Sequence, residues 1–170
     1  MNFNFPEKLD PEEYQFGDKI DDKKFSKSIR TISHINYRYI DLEKTEYNFR
    51  QSCFDNKDVV EYFDFMSMLC DNSFDYLLNN KRPDWHLNPN DYHKEYRFKE
   101  LVNKALNISE DLAQQNIPSF FHFALYTDST GKANRKTGIK SPRIYFFIGD
   151  NAVIYPLFYD PYHEINPLSQ

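Results

Sequence analysis

The closing stretch LFYDPYHEINP sets Asp160 three residues before His163 and puts Glu164 beside it, with Lys140 and Arg143 upstream. An imidazole near a carboxylate can take and return a proton, and a nearby ammonium or guanidinium can stabilise charge developing on a phosphoryl oxygen. Cleavage of RNA through its own 2′-hydroxyl asks for those parts and for no metal. The catalytic candidates are therefore His163, Asp160 or Glu164, and Arg143 or Lys140, with Arg38 added if the first strand lies alongside. Lys132, Arg135, Lys136 and Lys140 would hold the phosphate backbone, and Tyr126 and Tyr159 would stack on unpaired bases. Each residue also has a plainer reading. Asp160 before Pro161 starts an ordinary turn, His163 suits a surface, and a Lys/Arg-rich loop is commonly just solvated. His122, inside an aromatic strand, suits a half-buried and hydrogen-bonded role.

Other chemistries fit less well. The run STGK lacks the earlier glycine of a phosphate-cradling loop and precedes a strand, where that motif needs a helix. Asp160, His163, Glu164 and His122 are ligand types, but neither a His-Glu-x-x-His pattern nor paired cysteine spacing is present, so neither metal nor cofactor is expected. Cys53 and Cys70 are too few for a disulfide framework, and Cys70 falls on an apolar helical face where a thiol packs as a small hydrophobe.

These residues must be positioned by four segments. Residues 1–27 are polar, carry Pro6 and Pro11 and lack a sustained period, which predicts an irregular acidic arm. The run IRTISHINYRYIDL, 29–42, alternates and predicts a strand with His34 and Arg38 on one face. After the capping candidates Asp55 and Asn56 the spacing of Val59, Phe63, Met66, Cys70, Phe74 and Leu77 predicts one helix over about 57–79. The stretch NNKRPDWHLNPN then predicts a long loop anchored by Trp85, followed by a helix over 91–106 with Phe98, Leu101, Val102 and Ala105 inward. A short helix is expected over 109–116. SFFHFALYT alternates as a central strand, with Phe121, Phe123 and Leu125 opposite Phe120, His122, Ala124 and Tyr126. RIYFFIG and AVIYPLFYD flank GDNA as a hairpin, its second arm lying at an edge or carrying a bulge at Pro156. The expected fold is α+β: an antiparallel sheet of about four strands with two main helices packed on one face. The domain would span 28–165, with 166–170 as a tail.

A chain of 170 residues with 16 Phe and 13 Tyr can bury a ring-rich core without metal or disulfide. Neither a secretory signal nor an apolar run of about 20 residues is present, so a cytoplasmic protein with no membrane partner is expected. The formal net charge of -5 argues against a general nucleic-acid coat. Its distribution is uneven, however: Glu7, Asp10, Glu12, Glu13, Asp18, Asp21 and Asp22 crowd the arm, whereas Lys132, Arg135, Lys136, Lys140 and Arg143 occupy a region without acids.

The run INYRYIDLE, an aromatic-rich helix after a Cys, Trp85 and the ending FYDPYHEI together resemble a family of small uncharacterised bacterial proteins. Its members show an I-S-F-R-Y-L-D segment and a last strand closing in D-P-x-H. The resemblance covers about 29–165 and rests on Arg38, Asp41, Asp160 and His163; the acidic arm and the long loop before Arg143 depart from it. It implies no particular activity. By analogy of fold alone, small proteins with helices on an antiparallel sheet include ribonuclease toxins of toxin-antitoxin and phage-defence systems. The expected function is therefore RNA binding or metal-independent RNA cleavage in such a setting. The alternative is a non-catalytic interaction module or inhibitor that meets a protein partner, an antitoxin or phage protein, through the acidic arm and exposed aromatics.

Overall fold

The computed structural model describes residues 33–79, 86–108, 118–126, 132–149 and 152–166. The acidic arm, Trp85 and the helix expected over 109–116 lie outside the described residues. The elements are β1 (His34–Ile35), α1 (Asn56–Asp71), α2 (Phe74–Asn79), β2 (Asn88–Asn90), α3 (Tyr96–Leu106), β3 (Ser119–Ala124), β4 (Arg143–Ile148) and β5 (Val153–Asp160).

The fold is α+β, but the sheet differs from the expected four antiparallel strands. Its described strands number five in the order β1-β5-β4-β3-β2, and β1 runs parallel to β5 while the other neighbours are antiparallel. Among the described residues the predicted long first strand is His34–Ile35, and it stops there because the chain turns away once Asn36 N has donated to Ile154 O. Asp41, fully enclosed, then accepts from the backbone of Glu43, Lys44 and Thr45 and from the Thr45 hydroxyl, which closes a loop where alternation predicts more strand. At the other edge, β2 forms from NPN in the segment expected to be loop; Pro89 is tolerated there because an edge strand has one unpaired side.

The helices pack on both faces of the sheet, not on one. Phe65 and Met66 of α1 and Phe74 and Leu77 of α2 pack with Phe121, Phe123, Ile144, Phe146 and Ile148. Phe98, Leu101, Val102 and Ala105 of α3, the set expected inward, pack with Phe120, Tyr145, Phe147 and Phe158 on the opposite face. The six residues of β4 are all buried, as a strand covered on both sides must be.

Helix α1 begins at a capping box. Asp55 Oδ1 accepts from Lys57 N and Asp58 N while Asp58 Oδ2 accepts from Asp55 N, so both carboxylates satisfy orphan donors of the first turn. Its buried stripe is Tyr62, Phe65, Met66 and Leu69, rotated from the predicted one, and Phe63 is 57% exposed. Both stripes obey the three-and-four spacing, and contact with the sheet selects between them. The predicted single helix breaks after Asp71, where Asn72 turns extended and Asn72 Nδ2 takes the carbonyl of Met68.

Candidate active site

The chemistry-bearing residues of the closing stretch gather at one end of the sheet, on the α3 face, because of a bulge in β5. Ile148 pairs with Ile154 and Phe146 with Pro156, a register that would set Arg143 opposite Tyr159. A shift between Tyr145 and Phe146 inserts one extra residue, so Tyr145 pairs with Phe158 and Arg143 with Asp160. Leu157 and Phe158 consequently both serve the α3 side, while Tyr159 turns to the other cluster. The bulge expected from Pro156 is thus present in an inner strand, and it re-aims Asp160 towards the start of β4.

Asp160 is fully buried, and its carboxylate faces the turn that follows. Oδ1 accepts from Tyr162 N at 3.2 Å and Oδ2 from Ile165 N at 2.7 Å. This closed turn leaves His163 in the left-handed region at φ 56, a conformation uncommon for a residue with a side chain. The His163 ring lies 6.2 Å from that of His122 on β3, and His122 lies 5.1 Å from the Tyr145 ring on β4. His122 Nδ1 is 2.7 Å from Asn90 Oδ1. Asn90 Nδ2 in turn donates to Glu95 Oε2 at 3.1 Å, which fixes the amide so that its oxygen faces the ring. His122 therefore carries its proton on Nδ1 and presents Nε2 as a lone pair.

Arg143 is 5% exposed. Its Nη1 donates to Ser141 O and Ser141 Oγ at 3.0 Å and to Pro142 O at 3.2 Å, and its Nε has no partner. The ion pairs among the described residues do not include it. Burial pushes its pKa down, opposed by Tyr145 and Asp160. The neighbouring histidines respond to the same charge. Burial, then the Arg143 charge and the other imidazoles, takes His122 down to about 3, and burial followed by Arg143 and His86 takes His163 down to about 4. Both rings are neutral at neutral pH. Burial also raises Asp160, against the pull of its backbone donors.

The other candidate residues divide. Arg135 reaches the site's rim: its guanidinium bridges to Glu164 at 2.8 Å and sits 5.3 Å over the Tyr162 ring, joining the basic loop to the last turn. Ser141 N donates to Pro161 O and strengthens that seam. Lys132 and Lys136 are exposed in the same loop, whose Asn134–Ile139 bridge closes with Gly138 at φ 74. Arg97 of α3 adds a cation by donating to Glu164 O at 3.0 Å and to the Tyr47 hydroxyl.

Arg38 is not brought to the site. Its guanidinium covers the Tyr39 ring, which packs on Phe147 and Tyr155, four residues along β4 from Arg143 and so about 13 Å away at the strand rise. The cause is topological, since β1 pairs with the beginning of β5 and Asp160 stands at its end. Lys140, Tyr126 and Tyr159 meet instead at Asp58, on the opposite face. Tyr126 Oη donates to Asp58 Oδ1 at 2.6 Å, and Asp58 Oδ2 accepts from Tyr159 Oη at 2.7 Å and Lys140 Nζ at 2.6 Å. Lys140 also donates to Asp55 and to Cys53 O, and although burial alone would lower its pKa, the two carboxylates raise it. Tyr159 is fully enclosed and unable to stack on a base.

Asn90, Glu95, His86, Arg97 and Tyr162 were missed from the sequence. Nothing in NPN announces a strand that could carry Asn90 to His122. Among the described residues, no three His, Cys, Asp or Glu side chains are placed to hold a metal ion. Burial raises the thiols of Cys53 and Cys70, away from nucleophilic use. Searches of family models, curated proteins and solved structures find no match, so the family resemblance carries no argument about this site.

Proposed function

We propose that the protein acts on RNA as a metal-independent ribonuclease, toxin-like, at the sheet end occupied by His163, His122 and Arg143. The observation that carries the reading is that the His163 and His122 rings lie 6.2 Å apart at the sheet end where the Arg143 guanidinium is buried with its Nε unpartnered. A neutral His163 can accept the proton of a 2′-hydroxyl, and Arg143 can stabilise negative charge on the phosphorus oxygens. His122, its tautomer set by Asn90, is the second group able to move a proton. Asp160 is a positioning residue, since its carboxylate shapes the turn under His163. Arg135, Tyr162, Lys132 and Lys136 form the rim on which single-stranded RNA would lie. A cytoplasmic toxin-antitoxin or phage-defence setting belongs to the same proposal; no helix among the described residues is long and apolar enough to cross a membrane.

The test is cleavage of a ribo-oligonucleotide beside its all-deoxy counterpart in chelator. The RNA should be cut to 2′,3′-cyclic phosphate ends and the DNA left intact. His163→Ala should slow cleavage by about 10²–10⁴-fold, the range for a lost general acid or base, and relieve growth arrest on expression. Equal cutting by His163→Ala, or no cutting by either protein, removes the catalytic role. The second reading, a non-catalytic interaction module, is favoured by Val60 and Phe63 of α1, 59% and 57% exposed on one helical face. It requires a protein captured through that face and unchanged capture by His163→Ala.

A further inference from the structure

A buried guanidinium without a carboxylate partner is an unstable arrangement unless something completes it. Taking a charge out of water opposes folding, and pairing or hydrogen bonding normally offsets this. Asp160 stands opposite Arg143 in the ladder and could have paired with it, yet its oxygens accept from the backbone of residues 162 and 165. Arg143 is left with one nitrogen bonded to carbonyl and hydroxyl oxygens and with Nε unpartnered.

We propose that this guanidinium is the floor of a binding site for a tetrahedral oxyanion of the phosphate type, with the His163 ring as its second ligand and His122 behind it, and that the anion enters together with a proton. The proposal deepens the ribonuclease reading and rests on it only for the polymer that delivers the phosphoryl group. An anion supplies the missing charge and an acceptor for Nε. It also reverses the local field. The charged and titratable groups facing His163 are Arg143 on β4, His122 on β3, His86 ahead of β2, Asp160 at the end of β5, and Glu164 next in the chain with its partner Arg135. Burial, Arg143 and His86 oppose protonation of His163; an anion between Arg143 and His163 favours it. With Arg143 only 5% exposed, the half-buried His163 ring must turn as the anion enters.

Sulfate and inorganic phosphate, titrated into the full-length protein, separate this site from the polymer reading. Sulfate holds its charge across the range, so its pH dependence reports the protein. The Cε1–H signals of His163 and His122, followed by NMR, should shift with a single affinity, and their titration midpoints should rise when sulfate is bound. Sulfate affinity should increase between pH 7.5 and pH 5.5 by up to about tenfold per unit for one proton taken up. Arg143→Met should abolish binding while keeping an apolar stem of similar length in the fold. His163→Ala should weaken sulfate binding without abolishing it and lose most of its pH dependence. Histidine signals unmoved by sulfate, an affinity flat with pH, or an Arg143→Met protein that binds as before would each overturn the site. Sulfate binding without RNA cleavage would retain the site and remove the ribonuclease; cleavage without sulfate at these histidines would do the reverse.

Discussion

At the scale of single residues, two side chains that look like a catalytic pair in the sequence have been given different tasks. DPYH announces a turn, and the turn forms. Nothing in the spacing says whether Asp160 faces His163 or its own backbone, because that depends on the extra residue at Leu157, which inverts the faces of everything after it. The histidines carry a stability signature of their own. His122 and His163 are depressed to about 3 and about 4 from an ordinary value of 6.5, so between those limits the unfolded chain binds protons that the fold refuses. Their contribution is therefore complete above about pH 6.5 and is lost as pH falls, by up to about 1.4 kcal/mol per pH unit for the buried His122 and by less for the half-buried His163, which solvent screens. Asp160, raised by burial, works in the opposite direction, so comparison with a variant isolates the imidazole. Urea midpoints at pH 7.5, 6 and 5 should fall steeply for the wild type and less steeply for His122→Gln. Parallel curves would mean that His122 titrates normally in the fold.

At the scale of elements, the start of α1 explains why three predicted substrate ligands are absent from the site. A lysine and two tyrosines are the same residue types whether they meet a phosphate or a buried carboxylate, and composition cannot choose between them. Asp55 was legible as a helix cap. The second task of Asp58 was not, because its hydroxyl partners lie 68 and 101 residues away. Asp58 is wholly enclosed and joins α1 to the end of β3, to the loop before β4 and to β5. Removing one member of a buried ionic cluster leaves the others uncompensated, so Asp58→Ala should destabilise the protein by about 3–5 kcal/mol in urea unfolding. Tyr126→Phe deletes a single bond to a charged acceptor and should cost about 1.5–3 kcal/mol. If the two variants were equally stable, Asp58 would not be the hub of this junction.

At the scale of the whole molecule, the two-sided sheet was partly written in the sequence. β3 carries aromatic residues on both faces, interrupted by His122, and RIYFFI is apolar at every position after its arginine; such runs belong to strands covered on both faces. The inward set of α3 was legible because that helix has a single apolar face. α1 has apolar residues nearly all round, and only the sheet could decide which of them were buried. One sheet then separates two ring-rich clusters by the thickness of its backbone, which has a consequence for energetic coupling. Leu101→Ala on the α3 side should cost about 2–5 kcal/mol and Ile144→Val on the α1 side about 0.5–1.5 kcal/mol. Because these side chains share no partner, the double variant should match the sum within about 0.5 kcal/mol. Phe65 and Phe123 stack with centroids 3.4 Å apart and planes at 8°, so Phe65→Leu and Phe123→Leu should depart from additivity by more than that. The same transition should be seen by near-ultraviolet dichroism and by tryptophan-independent hydrogen exchange, since both clusters rest on β4. Strong coupling between Leu101 and Ile144 would show that the sheet transmits packing changes from one face to the other, and separate transitions would show that the two clusters do not unfold as one unit.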